Sequence, residues 1–467
     1  MNTKPLAILS GMRTPFCKAY GAMADVHAVD LGTAAVTAAL EKAGVTSGDV
    51  DEVVMGNVSG PPDSANIARV IGLKAGIPQD RIAHTVNRNC ASGMESILEA
   101  WQILREGRAR TIVAGGTESM SNIPLLVRPD ATRLLMEFGR ARSLIAKLKV
   151  IAKLRPRHLR PVPGVLLGLT DPFCGLNMGQ TAELLAREFG ISREDQDRFA
   201  LESHAKAAAA RERCFLSGEI IPIQPADAGR TSPPLAGRRS PDLAPAMTED
   251  LHAVPGIPHA ADAEPDPTLI EKDNGPRANQ TITALQKLRP IFEAEGSVTP
   301  GNSCPLTDGA AAVVLANADG IDLASDKPLG YVTSYAIAGC DPSRMGLGPV
   351  YATAKLLQQT GLQLHNFDLL EINEAFAVQV LACLAAFESD AFARSELGRS
   401  KALGSFPRER LNVHGGAIAL GHPVGTTGTR MIITLLRALR EQGLHRGLAT
   451  LCVGGGQGVA MVVETEI

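Results

Sequence analysis

The chain has 467 residues, of which 45% are hydrophobic and 20% are charged, and its formal net charge is −3. This composition is that of a globular protein; it excludes a wholly disordered chain and gives no electrostatic reason to expect nucleic-acid binding. No stretch reaches the roughly 18 uninterrupted apolar residues of a membrane-spanning helix. The apolar part of the N-terminus is too short for a signal peptide, and eight scattered cysteines argue against a disulfide framework or a zinc site. We therefore expect a cytoplasmic enzyme.

Strand and helix signals alternate over the first 120 residues. Residues 1–9 and 52–58 have the pattern of buried strands, and residues 91–105 have helical spacing. Residues 111–114 form a further apolar strand that ends at two glycines. Alternation of this kind favours a layered α/β fold.

A basic segment follows at residues 128–160, with ten Lys or Arg and two acidic residues. Apolar residues recur there at steps of three or four, at Leu134, Phe138, Ala141, Ile145, Leu148 and Ala152. The pattern predicts one basic amphipathic helix that prolines at 156, 161 and 163 bring to an end. Two interpretations stay open: docking on an anionic membrane surface or an acidic partner, or a solvated helix that covers the active-site loops.

Residues 225–267 contain nine prolines and little periodicity. We predict a surface excursion or a partly disordered loop there, without chemistry.

The C-terminal part repeats the plan of the N-terminal part. The matching segments are 50–57 with 367–373, 90–93 with 425–428, and 111–117 with 448–456. We interpret this as an internal duplication of two similar halves, although any two strand–helix–strand units share some likeness. A duplicated fold places its site between the halves, where loops from both converge.

Cys90 stands directly before the helix predicted at 91–105. The positive end of a helix dipole lowers the pKa of a thiol and favours the nucleophilic thiolate. Cys90 is therefore the candidate nucleophile; the alternative is a structural cysteine at a helix start.

A glycine-rich stretch at residues 411–428 holds a histidine before a proline, at His422. An imidazole fixed among closely approaching backbone is a candidate base for a nearby thiol. His414 lies in the same stretch and competes for the role, and we favour His422.

Two further segments carry candidate chemistry. Cys452 ends an apolar strand and precedes the glycines 454–456, a pattern typical of a proton-donating thiol beside an oxyanion hole, or of a core cysteine and a tight turn. Asn373 ends another apolar strand, where it would hold a water or a carbonyl oxygen, or cap a helix.

Together, and in this order, these segments resemble the thiolases, which exchange acyl groups between coenzyme A and a carbon–carbon bond. The resemblance runs from Ala7 to the C-terminus, is broken mainly by 225–267, and includes residues 114–121, 178–183 and 301–310. It implies an α/β fold with a layered αβαβα core of two similar halves. The halves would be residues 1–318, with an inserted loop domain at about 121–267, and residues 325–467. Homodimers or homotetramers are the implied states.

The resemblance also implies roles for the candidate residues. Cys90 would attack the 3-keto carbon of a 3-oxoacyl-CoA after His422 takes its proton, and Cys452 would return a proton to the departing acetyl-CoA carbanion. One oxyanion site would pair His422 with a water on Asn373, and the other would use backbone N–H groups of Cys90 and Gly454. The resemblance further implies a reversible reaction with coenzyme A as a substrate and with no cofactor and no metal.

The implied substrate-binding residues are Met178, Ser303, Cys304 and Phe376. Cys304 replaces the serine of biosynthetic members, and with the basic segment it is more similar to thiolase subunits of trifunctional β-oxidation complexes. Those subunits usually carry histidine at the position of Asn373, so the subtype markers are mixed. We expect a broad-range 3-ketoacyl-CoA thiolase of fatty acid β-oxidation, with a hydratase/dehydrogenase partner subunit or an anionic membrane surface at 128–160. The alternatives are a biosynthetic acetoacetyl-CoA thiolase, a ketoacyl synthase and a non-catalytic acyl-CoA-binding protein.

Overall fold

The computed structural model describes residues 5–225, 269–318 and 327–467. Apart from Pro225, the proline-rich segment at 225–267 lies outside the described residues, so its prediction stays a prediction.

Twelve strands are found in the described residues: β1 Leu6–Arg13, β2 Cys17–Lys18, β3 Glu52–Gly56, β4 Ile82–Val86, β5 Thr111–Glu118, β6 Leu125–Leu126, β7 Val162–Pro163, β8 Thr307–Asn317, β9 Gly330–Gly339, β10 Leu369–Ile372, β11 Arg446–Val453 and β12 Gln457–Glu464. The strands predicted near the N-terminus, at 52–58 and at 111–114 are all present.

The helices of the same residues are α1 Ala28–Ala43, α2 Ile67–Lys74, α3 Ser92–Arg105, α4 Pro129–Arg140, α5 Leu144–Ile151, α6 Gly164–Gly168, α7 Met178–Phe189, α8 Arg193–Glu212, α9 Ile282–Gln286, α10 Gly348–Thr360, α11 Ala377–Glu388, α12 Asp390–Glu396, α13 Ala417–Leu420 and α14 Thr427–Glu441. Among them, none is long and apolar enough to cross a membrane.

The main sheet has a mirrored strand order, β10-β11-β12-β9-β1-β8-β5-β3-β4. In one half β3 and β5 run parallel and β8 and β1 follow antiparallel. In the other half β10 and β11 run parallel and β12 and β9 follow antiparallel. The halves join where β1 pairs antiparallel with β9. This arrangement agrees with the duplication interpreted from the sequence.

Side-chain alternation on the strands divides the core into layers. On β8, Ala311, Val313 and Leu315 join the central cluster that holds α3 and α14. The intervening residues Ala310, Ala312 and Val314 join the cluster of α1 and α2. Because strand side chains alternate between faces, one strand serves two layers. A third cluster packs α10 and α11 against the strands of the C-terminal half, to which both helices belong. The layers are therefore αβαβα, as predicted.

The two central helices cross at their first turns, where each carries a glycine. A Cβ at Gly93 would lie 2.7 Å from Thr429 Oγ1, and one at Gly428 would lie 2.5 Å from the Met94 nitrogen. Thr429 Oγ1 also donates to the Gly93 carbonyl at 2.9 Å. The helix that follows Cys90 is therefore held in register with the helix that follows His422.

The basic segment is two helices, so the prediction of one continuous helix is wrong. Ala141 has extended backbone at ψ 114° and ends α4, and Ser143 caps α5 by accepting from the Ala146 N–H. A serine that caps a helix start competes with continuation of the preceding helix. The expected apolar face is also split, because Leu134 and Phe138 are half-buried whereas Ile145 and Leu148 are exposed.

Candidate active site

Cys90 lies on a short connection between strand and helix, the nucleophile loop (residues 87–90). Strand β4 ends at Val86, and α3 begins at Ser92. The Ser92 hydroxyl accepts from the Arg88 N–H at 2.9 Å and donates to the Asn89 carbonyl at 2.7 Å. The loop is therefore tied to the first turn of α3, and the prediction of a cysteine just before a helix is confirmed.

The electrostatics of the Cys90 thiol differ from the sequence-based expectation of a lowered pKa. Burial is the largest influence and raises the pKa above its ordinary value, because a thiolate is poorly solvated there. The backbone N–H groups of Gly454 and of Cys90 itself act in the opposite direction. The thiol is thus protonated at neutral pH and needs a base, while two N–H donors already face its sulfur.

A cavity of about 950 Å³ opens beside Cys90. Its walls are mostly apolar, with side chains that include Ile123, Val165 and Leu169. Met178 and Gly454 line the same cavity as Cys90. A site of this size and character suits a largely hydrophobic ligand with a few polar contacts.

Two more thiols interact electrostatically with Cys90. Burial raises the pKa of Cys452 well above its ordinary value, and negative charge on Cys90 or Cys304 raises it further. Burial and the neighbouring Cys90 raise the pKa of Cys304 to about 12. Cys90 comes from one half and Cys452 from the end of β11 in the other half, so groups from both halves influence the pKa of Cys452.

His422 is held in one tautomer. Its Nδ1 lies 2.6 Å from the Thr427 hydroxyl, which donates its own proton to the Pro423 carbonyl at 3.1 Å. The ring therefore donates from Nδ1 and keeps a lone pair on Nε2, which has no hydrogen-bond partner in the described residues. Burial, followed by the charge of Arg430, lowers the His422 pKa to about 3, so the imidazole is neutral.

The competing histidine, His414, lies elsewhere. Its ring stacks on Phe215 with centroids 3.6 Å apart, and its Nε2 is 3.3 Å from a Glu441 carboxylate oxygen. His414 thus packs beside the C-terminal end of α14, whereas His422 precedes that helix and its neighbour Val424 lines the cavity with Cys90.

Asn373 follows β10 at the edge where the parallel strand β11 also ends. Its N–H donates to the Thr450 carbonyl at 3.0 Å, but neither atom of its fully buried side-chain amide has a partner in the described residues. Helix α11 begins at Ala377, so Asn373 does not cap it. A buried amide without partners is costly, which points to a ligand or a water as its partner.

The predicted substrate-binding residues fall into two groups. Met178 lines the cavity, and its Sδ would lie 3.4 Å from a Cβ built at Gly454. Ser303 and Cys304 form a short bridge to the segment of Phe376, in which the Cys304 N–H donates to the Ala375 carbonyl at 3.1 Å. Ser303 Oγ is already engaged with the Thr299 carbonyl at 2.7 Å, and Phe376 packs edge-on against Phe292. Neither Ser303 nor Phe376 is among the described residues that line the cavity.

The sequence argument missed Glu118, a buried carboxylate that holds the site loops together. It accepts from the N–H groups of Val58, Ser59 and Gly425, each at 3.0 Å. Gly425 belongs to the loop of His422, so Glu118 links the two halves. An acidic residue at the end of an otherwise apolar strand, β5, is the signal that identifies it.

Asn89 was also missed, and it connects the nucleophile loop to the glycine turn (residues 454–456). Its Nδ2 donates to the Gly454 carbonyl at 2.8 Å. In the described residues, no group of three or more His, Cys, Asp or Glu side chains could hold a metal ion.

The fold and the site define a duplicated α/β protein with a cysteine directly before a helix and a second thiol from the opposite half. The model of the thiolase N-terminal domain matches residues 6–232 and 254–319, and that of the thiolase C-terminal domain matches residues 326–465. The chain therefore belongs to the thiolase family.

Named relatives match over nearly the whole chain. Proteins named 3-ketoacyl-CoA thiolase from Photorhabdus laumondii and Yersinia enterocolitica are each 38% identical over 463 residues, covering 99% of this chain and 97% of the relative. The acetyl-CoA acetyltransferase of Bacillus anthracis has a TM-score of 0.79 at 32% identity, covering 99% of this chain and 100% of that one. Human mitochondrial 3-ketoacyl-CoA thiolase in complex with CoA has a TM-score of 0.77 at 32% identity, covering 99% and 98%.

Proposed function

We propose that the chain cleaves a 3-oxoacyl-CoA with coenzyme A, giving acetyl-CoA and an acyl-CoA shortened by two carbons. Membership of the thiolase family and full-length relatives named 3-ketoacyl-CoA thiolase support this reaction. The observation that carries it is that two cysteines from opposite halves are near enough for Cys90 to raise the pKa of Cys452, and that Cys90 lines a large apolar cavity.

In the first half-reaction, His422 Nε2 takes the proton of Cys90, and the Cys90 sulfur bonds to the 3-keto carbon. The bond between C2 and C3 then breaks, and the resulting carbanion of acetyl-CoA takes the proton of Cys452. The raised pKa of Cys452 keeps that proton available, and the N–H groups of Cys90 and Gly454 stabilise charge on the reacting oxygen.

In the second half-reaction, Cys452 thiolate takes the proton of coenzyme A, whose sulfur attacks the acyl group on Cys90. Cys90 leaves as a thiolate and recovers its proton from His422, while the proton of coenzyme A replaces the one that Cys452 gave to acetyl-CoA, so each group regains its starting protonation state. A water held by Asn373 would share the second oxyanion site with His422. Two cysteines are needed because one stores the acyl group while the other moves a proton.

A direct test compares Cys90→Ala with Cys214→Ala, a substitution at an exposed cysteine. Thiolysis is followed as loss of enolate absorbance when a 3-ketoacyl-CoA is mixed with coenzyme A. We expect Cys90→Ala to abolish turnover and Cys214→Ala to leave it unchanged, with an acyl adduct on Cys90 detected by mass spectrometry when coenzyme A is omitted. Wild-type protein that binds acyl-CoA without turnover would instead support a non-catalytic carrier.

The cavity bears on the substrate. Its volume of about 950 Å³ and its apolar walls favour acyl groups longer than acetyl, and hence degradation over acetoacetyl-CoA synthesis. The test is a C4 to C16 series of 3-ketoacyl-CoA substrates, read as relative kcat/KM. A maximum confined to C4 would favour the biosynthetic alternative.

The homo-oligomer expected from the family is supported by an open sheet edge. Strand β4 pairs with β3 on one side only among the described residues, and its Ile82 is exposed. An unprotected edge without Lys or Pro is suited to pairing with another chain. We propose that a second copy pairs along β4.

The basic segment at residues 128–160 supports a docking role. It exposes many large apolar side chains, among them Leu135, Met136, Leu144, Ile145, Leu148, Ile151 and Leu159. The same segment carries ten Lys or Arg. We propose that it docks the protein on an anionic membrane surface; binding to a hydratase/dehydrogenase subunit instead would be an outcome of the test. Partitioning onto vesicles with anionic lipid should fall when these Lys and Arg are neutralised, and unchanged partitioning would remove the membrane proposal.

The proposed chemistry uses coenzyme A as a substrate and assigns no step to a metal or cofactor. The cytoplasmic location remains a prediction.

A further inference from the structure

The nucleophile loop has a strained backbone at Asn89. Its φ is 44°, in the left-handed region that asparagine and glycine occupy more readily than other residues. The Asn89 N–H donates to Asn87 Oδ1 at 2.9 Å, and its carbonyl accepts from the Ser92 N–H at 3.0 Å. With the backbone satisfied locally, the side chain is directed away from its own half of the protein.

The glycine turn lacks the stiffness that side chains give to a backbone. Gly455 and Gly456 have φ of 90° and 79°, and consecutive glycines have wide conformational freedom. The far end of the turn is fixed, because the Cys340 N–H donates to the Gly456 carbonyl at 2.8 Å. At the near end the Gly454 carbonyl accepts from Asn89 Nδ2 at 2.8 Å.

Gly454 matters because its own N–H faces the Cys90 sulfur. Asn89 thus holds Gly454 through its carbonyl, and the N–H of Gly454 points to Cys90, which follows Asn89 in the chain. A second tie between the loops is the Arg88 guanidinium, which donates to Gln457 Oε1 at 2.9 Å and is held by Glu95.

We propose that Asn89 is a positioning residue: by holding the Gly454 carbonyl, it fixes the Gly454 N–H toward the Cys90 sulfur and toward the oxyanion that forms there during acyl transfer. The oxyanion part rests on the proposed function; the part that concerns the resting thiol does not. A misplaced donor loses most of its effect, because catalytic stabilisation depends on preorganised geometry.

Three variants separate the amide from the backbone. Asn89→Gly keeps the left-handed conformation and removes only the side-chain donor. Asn89→Asp keeps the size and shape, but a carboxylate cannot donate to a carbonyl and adds negative charge beside the thiol. Asn89→Ala removes the amide and also disfavours the backbone conformation, so it should melt at a lower temperature than Asn89→Gly.

The first readout is the rate of Cys90 alkylation by iodoacetamide as a function of pH, without substrate. The groups facing Cys90 that stay constant between the variants are Glu118 on β5, Cys304, and Cys452 on β11; His422 is likewise unchanged. We expect the alkylation midpoint of Asn89→Gly to rise by about half a pH unit or more, since the thiolate loses a fixed donor. Asn89→Asp should rise further.

The second readout is thiolysis. For Asn89→Gly we expect kcat to fall about tenfold with KM within about twofold of wild type and an unchanged melting temperature. Wild-type kcat and an unshifted alkylation midpoint in Asn89→Gly would overturn the proposal, as would wild-type behaviour of Asn89→Asp. If wild-type protein has no thiolase activity, the proposed function fails, and the alkylation midpoint still decides the role of Asn89.

Discussion

The side-chain amide of Asn373 is fully buried without the hydrogen bonds that a buried amide normally makes, since it has no partner in the described residues. An unsatisfied buried polar group destabilises a fold by about 1–3 kcal/mol. Asn373→Leu, with the same branching, should leave the free energy of unfolding unchanged or raise it by about 1 kcal/mol. Because the oxyanion water loses its anchor, kcat/KM should fall about 100-fold. Urea unfolding and steady-state thiolysis measure the two effects.

Asn302 is the matched control for this substitution. It is equally buried, but its amide donates to Asp197 at 3.0 Å and its Oδ1 accepts from the Thr299 N–H at 2.8 Å. Asn302→Leu leaves those partners unsatisfied and should lower the free energy of unfolding by at least about 2 kcal/mol. Equal destabilisation by the two substitutions would contradict a functional reason for the Asn373 geometry.

Single residues also mark the limit of what sequence alone predicts. The position of Cys90 before a helix follows from local spacing, and the structure confirms it. The direction of its pKa shift does not, because desolvation depends on every element packed around the sulfur. The helix dipole is a local quantity, whereas the burial of the sulfur is a property of the folded chain.

The crossing of α3 and α14 is the element-scale feature on which the site depends. A Cβ at Gly428 would lie 2.5 Å from the backbone nitrogen of Met94, so the helices would have to separate. Gly428→Ala should lower the free energy of unfolding by about 1–3 kcal/mol and reduce kcat, since both helices begin at site loops. Thermal unfolding and thiolysis are the measurements.

Gly139 in α4 provides the control, because nothing lies within 4 Å of a Cβ built there. Gly139→Ala should be neutral or stabilising by up to about 1 kcal/mol, with activity unchanged. If Gly428→Ala behaved in the same way, the close crossing would not constrain the site.

Helix α8 contains a buried histidine that couples stability to pH. Burial, then the charges of Arg277 and Lys18, lower the pKa of His204 to about 4. The His204 imidazole therefore binds a proton near pH 6.5 in the unfolded chain but only near pH 4 in the folded chain. Stability from this residue is fully present above pH 6.5 and is lost as the pH falls toward 4.

His204→Asn tests this coupling, since its Oδ1 can replace the Nδ1 that accepts from the Arg277 N–H. Between pH 8 and pH 5, the variant should lose about 2 kcal/mol less of its free energy of unfolding than wild type does. Denaturant unfolding at the two pH values measures the difference. Parallel pH profiles for wild type and variant would contradict the assignment.

The elements themselves were predictable where the sequence is strongly periodic. Strands β1, β3 and β5 and helix α3 follow directly from apolar patterns. The break between α4 and α5 was not predicted, because Leu134 to Ala152 keeps helical spacing across it. Ser143 decides the break through a capping hydrogen bond, which competes with helix continuation only when tertiary packing permits.

At the scale of the whole molecule, the open edge at β4 is the surface through which we propose that copies associate. Ile82 is 58% exposed on that edge. Ile82→Lys should weaken self-association at least about tenfold, because lysine on an edge strand blocks pairing. Sedimentation velocity over a concentration series measures this. Ile291→Lys, at another exposed isoleucine, is the control; equal weakening, or none in either variant, would place the interface elsewhere.

The duplication has a consequence for how activity is acquired. Cys90 and Cys452 come from different halves, so their electrostatic interaction depends on the docking of one half on the other, with the β1–β9 pairing at the junction. A refolding chain can therefore regain its helices and strands before it regains any turnover. Recovery of catalysis therefore reports the final docking of the two halves. A chain trapped with its halves apart would have the circular dichroism spectrum of the native protein but no activity.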